Sequence, residues 1–266
     1  MTASVKEIVW ITGASSGIGR ALALKMAGVG YRVVASARRE GELQVLAAEG
    51  AERGGVIDIV PLDTTDHGAV ANAVTHIERE IGPIAIAVFC AGTYEKVLAQ
   101  EVSVARARPV YELNLMGTLA CLEAVMPAMR ARKSGRIAIV ASLAGYFGLP
   151  TSAIYGASKA ALINMAEALQ PELLLQGIRL QIVNPGFVKT PLTAKNDFPM
   201  PFLMDVEEAA QAFLDGLRSD RFEITFPRHF SLILRLLQML PYGLSLWLTG
   251  KTVPKDKPKE RARLTP

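Results

Sequence analysis

A repeated exchange between two hydrophobic rhythms limits the fold of this chain most. Seven short runs rich in apolar and β-branched residues are KEIVWIT (6–12), YRVVASA (31–37), GVIDIVPLD (55–63), IAIAVFC (84–90), RIAIVAS (136–142), IRLQIVN (178–184) and FEITF (222–226). Between them lie stretches with apolar residues at helical spacing, such as RALALKMAGVG and GAVANAVTHIEREIG. Strand and helix alternating in this way predict a parallel sheet covered by helices on both faces. The right-handed crossover rule then leaves a doubly wound α/β sheet of about seven strands as the simplest topology. Gly30, Gly82, Gly135 and Gly177 fall where helices should end, positions that favour a left-handed cap. Half of the 266 residues are hydrophobic and 20% are charged, enough apolar material for one large core.

Directly after the first strand comes TGASSGIG (12–19). Three glycines in eight residues mark a backbone that bends sharply or is closely approached. In a doubly wound sheet this turn opens the first helix, whose free N–H groups and dipole attract anions. Gly13 would allow the tight turn, Gly17 the approach of a pyrophosphate, and Gly19 close packing of helix on strand. A dinucleotide phosphate is the expected visitor, with Ser15, Ser16 and Ile18 in the same cradle. The second strand ends in ASARRE, with Arg38 and Arg39 and no carboxylate until Glu40. An acidic residue here would hold a free ribose 2′-hydroxyl, whereas an arginine fork suits a 2′-phosphate. NADP(H) is therefore preferred over NAD(H), with the Ser15 hydroxyl as a further donor.

YGASK (155–159) places Tyr155 and Lys159 four apart, on one face of a helix. A free phenol has a pKa near 10, and a neighbouring ammonium is expected to lower it toward a useful range for proton transfer. Ser142 ends the fifth strand, where strand end and following helix face the same crevice. It can reach the substrate oxygen that Tyr155 protonates.

With TGxxxGxG, YxxxK and the intervening serine, the chain resembles the short-chain dehydrogenases/reductases, of the shorter NAD(P)-dependent kind with a Rossmann-type sheet. The resemblance covers roughly residues 5–225. It implies that Asp63, with Thr64 beside it, meets the adenine amino group. It implies that Cys90, Ala91 and Gly92 stand where the family carries NAG, so that Cys90 replaces an asparagine that ties neighbouring strands. Asn114, in YELNLMGT on the long fourth helix, should hold a bent helix and a water that relays protons to Lys159. Pro185 and Gly186 should turn the chain beside the nicotinamide, whose carboxamide would be held at Val188 and Thr190. Asn114, Ser142, Tyr155 and Lys159 are thus the expected catalytic set, and Asn114, Tyr155 and Lys159 also belong to the expected cofactor site.

The substrate lid is expected at about 190–205, where Phe198, Met200, Phe202, Leu203 and Met204 make it apolar. Ahead of it LAGYFGLP (143–150), with Tyr146 and Phe147, is expected to form another pocket wall. Such a pocket suits a bulky hydrophobic carbonyl or alcohol. A Rossmann domain over 1–226 would then be followed by an apolar extension at 227–251. There Ser231, Arg235, Gln238, Tyr242, Ser245 and Thr249 form a polar stripe, and Pro241 should split two helices. Capping of the pocket, a subunit face and peripheral membrane contact through 227–263 all remain open for it. Residues 252–266 are expected to form a basic, disordered tail.

Residues 251–266 carry six basic and two acidic side chains, which accounts for the whole net charge of +4. The near-neutral body argues against nucleic-acid binding. Cys90 and Cys121, both in apolar surroundings, give no disulfide framework. His67, His76 and His229 are too scattered for a metal site, so no metal is expected. MTASVKEIVW lacks the basic region of a signal peptide, which suits a cytoplasmic protein with peripheral contact to a membrane. The favoured function is an NADP(H)-dependent oxidoreductase acting on CH–OH groups, as a homodimer or homotetramer. A non-catalytic NADP(H)-sensing or membrane-docking protein is the alternative, and an epimerase or dehydratase is a third.

Overall fold

A computed structural model of the chain describes residues 6–253. The expected disordered tail from 254 onward, like residues 1–5, lies outside the described residues. Seven parallel strands form one sheet in the order β3-β2-β1-β4-β5-β6-β7. They are β1 (Ile8–Thr12), β2 (Arg32–Ser36), β3 (Val56–Ile59), β4 (Ile84–Phe89), β5 (Gly135–Val140), β6 (Ile178–Pro185) and β7 (Glu223–Phe226). The order reverses at β1, which pairs with β2 on one side and β4 on the other. That reversal opens a crevice at the carboxyl ends of the strands.

The helices α1 (Gly17–Gly28), α2 (Glu40–Glu52), α3 (His67–His76), α4 (Val104–Tyr111), α5 (Gly117–Arg132), α6 (Ala153–Leu175) and α7 (Val206–Leu217) connect them. All five residues of β1 are buried, because both faces of the strand are covered. Its side chains alternate between two cores. Val9 and Ile11 join Leu22, Met26, Leu43 and Phe213 on the α1–α2–α7 side. Trp10 joins Phe89, Leu122, Met129 and Leu162 on the α3–α5–α6 side. Each fully buried aliphatic side chain of this kind contributes about 1.5–3 kcal/mol relative to exposure. Trp10 stacks edge-on against Phe89 at 5.9 Å and satisfies its indole N–H on Ser36 Oγ at 2.9 Å.

The long fourth helix is observed as α4 and α5 joined by a π-helical turn at Glu112–Met116, which contains Asn114. Gly30, Gly82 and Gly177 take positive φ, as expected of helix ends. Gly135 does not. The left-handed residue after α5 is Lys133, at φ 50°, and Gly135 instead begins β5 against the side chain of Met129. Pro241 divides the extension into α8 (Arg228–Met239) and α9 (Tyr242–Gly250), the two helices expected there.

Gly177 combines a φ of +76° with a carbonyl oxygen, that of Lys133, where a Cβ would sit. Gly177→Ala is expected to lower stability by about 2 kcal/mol or more, since backbone strain and a backbone clash act together. Urea unfolding of the two forms measures the loss.

Candidate active site

The turn between β1 and α1 approaches the end of β4 closely. A Cβ at Gly13 would stand 2.7 Å from the Ala91 nitrogen, and one at Gly19 2.6 Å from the Gly13 carbonyl oxygen. A Cβ on Gly17 would meet the Thr190 side chain at 3.2 Å. Only glycines fit this cradle, and it floors a cleft of about 440 Å³ at the carboxyl edge of the sheet. The cleft is lined by Gly13, Ser15, Ser16, Gly17, Ile18 and Gly19. Arg38, Arg39, Asp63, Thr64, Cys90, Ala91 and Gly92 line it further along, and Ser142, Tyr155, Lys159, Pro185, Gly186, Val188 and Thr190 complete it. A backbone cradle at a helix N-terminus, with cations beyond it, fits the phosphates and adenosine end of a nicotinamide dinucleotide.

Arg39 Nη2 donates to Ser15 Oγ at 3.0 Å, so the expected phosphate donors adjoin one another. Arg38 Nη1 lies 3.8 Å from Asp63. Burial disfavours the Asp63 carboxylate. The Thr65 backbone N–H and hydroxyl, with Arg38, outweigh this and hold its pKa below the ordinary value. Cys90 departs from the usual asparagine, yet the strands remain tied. Thr12 Oγ1 accepts from the Cys90 and Ala91 backbone nitrogens at 3.2 and 3.3 Å. Burial pushes the Cys90 thiol up to about 11, with Lys159 opposing. Both cysteines are free.

Asn114 does not line the cleft. It is wholly buried behind it, where Oδ1 accepts from Thr93 N at 2.8 Å and Nδ2 donates to Thr93 O and Ser158 Oγ, both at 3.0 Å. Ser158 Oγ in turn donates to the Tyr155 carbonyl oxygen at 2.7 Å. Asn114 thus couples the π turn, the loop after β4 and α6, and positions Tyr155 through Ser158. Ser158 was missed in the sequence, although it lies inside YGASK. Tyr94 was also missed, and its ring meets Tyr155 edge-on at 5.1 Å. Thr193 is a third. Its hydroxyl donates to Val188 O at 2.6 Å and accepts from Thr190 N at 3.0 Å, closing the PGFVKT loop on itself.

Lys159 Nζ donates to the Val140 carbonyl oxygen at 2.8 Å and lies 5.7 Å from the Tyr155 ring centroid. The expected lowering of the Tyr155 pKa is absent in this geometry. Burial pushes the phenol up to about 12, opposed by a hydrogen bond with Ser142. Burial lowers Lys159 to about 8. Ser142 Oγ also accepts from Ala144 N at 3.1 Å.

A second, mostly apolar cavity of about 730 Å³ shares Ser142, Tyr155, Gly186, Leu192 and Thr193 with the cleft. Its walls include Leu149, Phe187, Phe198 and Pro199, and α8 and α9 contribute Phe230, Leu234, Leu237 and Leu248. The extension therefore caps the pocket. The expected lid stretch contributes Leu192, Thr193, Asn196, Phe198, Pro199 and Pro201, but of its five apolar residues singled out above only Phe198 is among them. Phe202 packs on His229 and Phe230, and Met204 pairs with Val188. The expected stretch 143–150 does form a wall, through Leu143, Ala144, Leu149 and Pro150, but Tyr146 and Phe147 take no part in it. Tyr146 is drawn instead to Glu223, which also accepts from Asn184 Nδ2 at 2.7 Å and pairs with Arg235 of α8. Burial, then the hydrogen bond and charge of Glu223, raise the Tyr146 pKa. This knot fastens α8 back to the start of β7.

Comparison with known proteins agrees with this architecture. A family model described as short chain dehydrogenase matches residues 7–199. An uncharacterized oxidoreductase of Myxococcus xanthus is 39% identical over 88% of this chain and 92% of its own length. Human dehydrogenase/reductase SDR family member 7 is 32% identical over 92% of this chain and 77% of its own. Among solved structures, an actinorhodin polyketide ketoreductase variant with NADPH superposes with a TM-score of 0.77 at 26% identity, covering 85% of this chain and 97% of that one.

A buried cation is a cost to folding. Burial lowers the folded Lys159 pKa to about 8 from the ordinary 10.5, so the unfolded chain binds the extra proton between those values. Stability from this group is therefore least below pH 8 and recovers as pH rises toward 10.5. Lys159→Met is expected to be about 2 kcal/mol more stable than the parent at pH 7, after loss of one hydrogen bond. The gap should narrow by pH 9.5, as read from urea unfolding at both pH values.

Proposed function

The chain belongs to the short-chain dehydrogenase family and is an oxidoreductase of that kind, and from that premise we propose that it uses NADP(H) to interconvert a hydrophobic ketone or aldehyde and its alcohol. The observation that carries this reading is the meeting of the dinucleotide cleft and the apolar cavity at Ser142 and Tyr155. A substrate held in the second thus meets a cofactor held in the first beside the two side chains able to handle the proton.

When bound, the nicotinamide supplies a hydride to the carbonyl carbon or takes one from the alcohol carbon. Tyr155 gives its phenolic proton to the carbonyl oxygen in reduction and, as phenolate, removes the hydroxyl proton in oxidation. Its raised pKa keeps that proton in place at neutral pH until the substrate oxygen takes it. Ser142 Oγ donates to the same substrate oxygen. Lys159, its Nζ anchored on Val140 O, supplies positive charge as the phenolate forms and binds the nicotinamide ribose. Asn114 positions the set from behind.

Preference for NADP(H) is supported by Arg38 and Arg39 at the cleft wall, by the Arg39–Ser15 contact, and by the NADPH carried by the ketoreductase relative. The apolar lining supports a hydrophobic substrate. Exposed Leu119 on α5 and Leu174 and Leu175 on α6 support a homodimer or homotetramer through those helices.

Tyr155→Phe is expected to lower kcat for NADPH-dependent ketone reduction by about 10²–10⁴-fold while leaving NADPH affinity intact. Steady-state assays on hydrophobic ketones, with NADPH binding by fluorescence, separate the two. Turnover unchanged in Tyr155→Phe would remove the phenol from the mechanism, and NADPH binding without turnover in the parent would return the chain to a sensing role. Arg39→Ala should weaken NADPH binding by about 10–100-fold and leave NADH binding nearly unchanged, since only the 2′-phosphate contact is removed. Titration with both cofactors checks this.

A further inference from the structure

The polar stripe of the extension is turned partly inward. Ser231, Ser245 and Thr249 are buried, with Ser245 fully so, and Arg235 is committed to Glu223. The apolar residues take the outside. Leu232, Ile233, Leu236 and Met239 lie along one face of α8, and Leu244, Leu246 and Trp247 are exposed on α9. Met239 is 80% exposed and Trp247 58%. A soluble surface seldom leaves so many large apolar side chains together in water. The inner sides of the same two helices contribute Leu234, Leu237 and Thr249 to the cavity wall.

Charge indicates what covers this face. From Arg228 through Lys255 there is no acidic residue, while Arg228, Arg235, Lys251 and Lys255 are basic. Lys251 closes α9 with its ammonium 3.4 Å above the Trp247 ring, joining cation and interfacial aromatic at one point. Residues 254–266 continue directly from this point with five basic and two acidic side chains. With Arg235 paired to Glu223, the remaining cations at Arg228, Lys251 and beyond, beside a tryptophan and apolar side chains, match a lipid surface with anionic headgroups. The helices have 12 and 9 residues, and no described helix is long and apolar enough to cross a membrane. They would lie in the interface.

We propose that the outer face of α8 and α9 docks the protein on an anionic bilayer, with Leu232, Leu236, Met239 and Trp247 inserted among the acyl chains, Lys251 at the headgroups and the cationic sequence after it adding to the attraction. One layer of helices then separates the bilayer from the apolar cavity, and a hydrophobic substrate can pass from membrane to site without crossing water. The docking stands without the catalytic reading; only this route rests on it.

The test is flotation of the full chain with vesicles of phosphatidylcholine alone or with phosphatidylglycerol added, read also by Trp247 emission, since Trp10 is wholly buried. Binding to the anionic vesicles, a blue shift, and weakening by salt are expected. Leu236→Glu with Trp247→Glu should weaken flotation about tenfold or more, with circular dichroism and NADPH binding unchanged. Replacing Lys255, Lys257, Lys259, Arg261 and Arg263 by Gln should weaken it on anionic vesicles by at least about tenfold, while leaving the apolar face intact. Failure to float, or flotation indifferent to the Leu236/Trp247 change, would overturn the proposal. So would a dimer that ignores vesicles and dissociates on the same change, since the face would then belong to a second copy. Neither result depends on turnover, so loss of the docking proposal leaves the oxidoreductase reading intact.

Discussion

Everything at the working edge of this protein depends on a sheet that is buried on both faces. A strand such as β1, with five consecutive buried residues, leaves no side of the sheet open to a ligand. Access remains at the carboxyl ends, where the chain leaves the sheet and helix N-termini begin. The reversal of strand order between β2 and β4 around β1 widens that edge into a crevice. The glycines of the first turn then let the backbone of Gly13 lie against Ala91 and complete the floor.

Onto this edge the fold brings buried polar groups that a stable core would avoid. Asn114, Ser158 and Lys159 are almost without solvent exposure, and each is committed to a hydrogen bond. The π turn at 112–116 gives Asn114 the reach to bind Thr93 on one side and α6 on the other. Lys159 tolerates burial because Val140 offers a carbonyl oxygen at the end of β5. The geometry of Tyr155 is thus fixed from three directions: α6 itself, Ser158 beneath it and Tyr94 against its ring.

The extension shows the same economy of position. Glu223 gathers Tyr146, Asn184 and Arg235, which come from three separate elements, and so holds α8 where it closes the apolar cavity. Phe230 stacks on Phe187 at 5.8 Å and joins the cap to the loop after β6. Capping of the cavity and exposure of an apolar outer face arise from the same two short helices.

Much of this was legible in the sequence where the physics is local. Alternating runs specified a parallel α/β sheet, because strand and helix periods are properties of neighbouring residues. TGASSGIG and YGASK revealed the cradle and the Tyr155–Lys159 pair, since both depend on spacing within a few residues. Pro241 revealed the break between α8 and α9, because a missing N–H acts where it stands. Tertiary structure decided the rest. Tyr146 left the expected pocket wall for Glu223, 77 residues away, because a buried phenol seeks a partner that no local pattern announces. Asn114 proved to lie behind the cleft, and Ser158 to link it to Tyr155, through contacts between elements distant in sequence. The polar stripe on 231–249 could be counted from the chain, but its direction could not. Periodicity defines a helix face, and only packing against Phe187, Leu149 and the end of β7 determines which way that face turns.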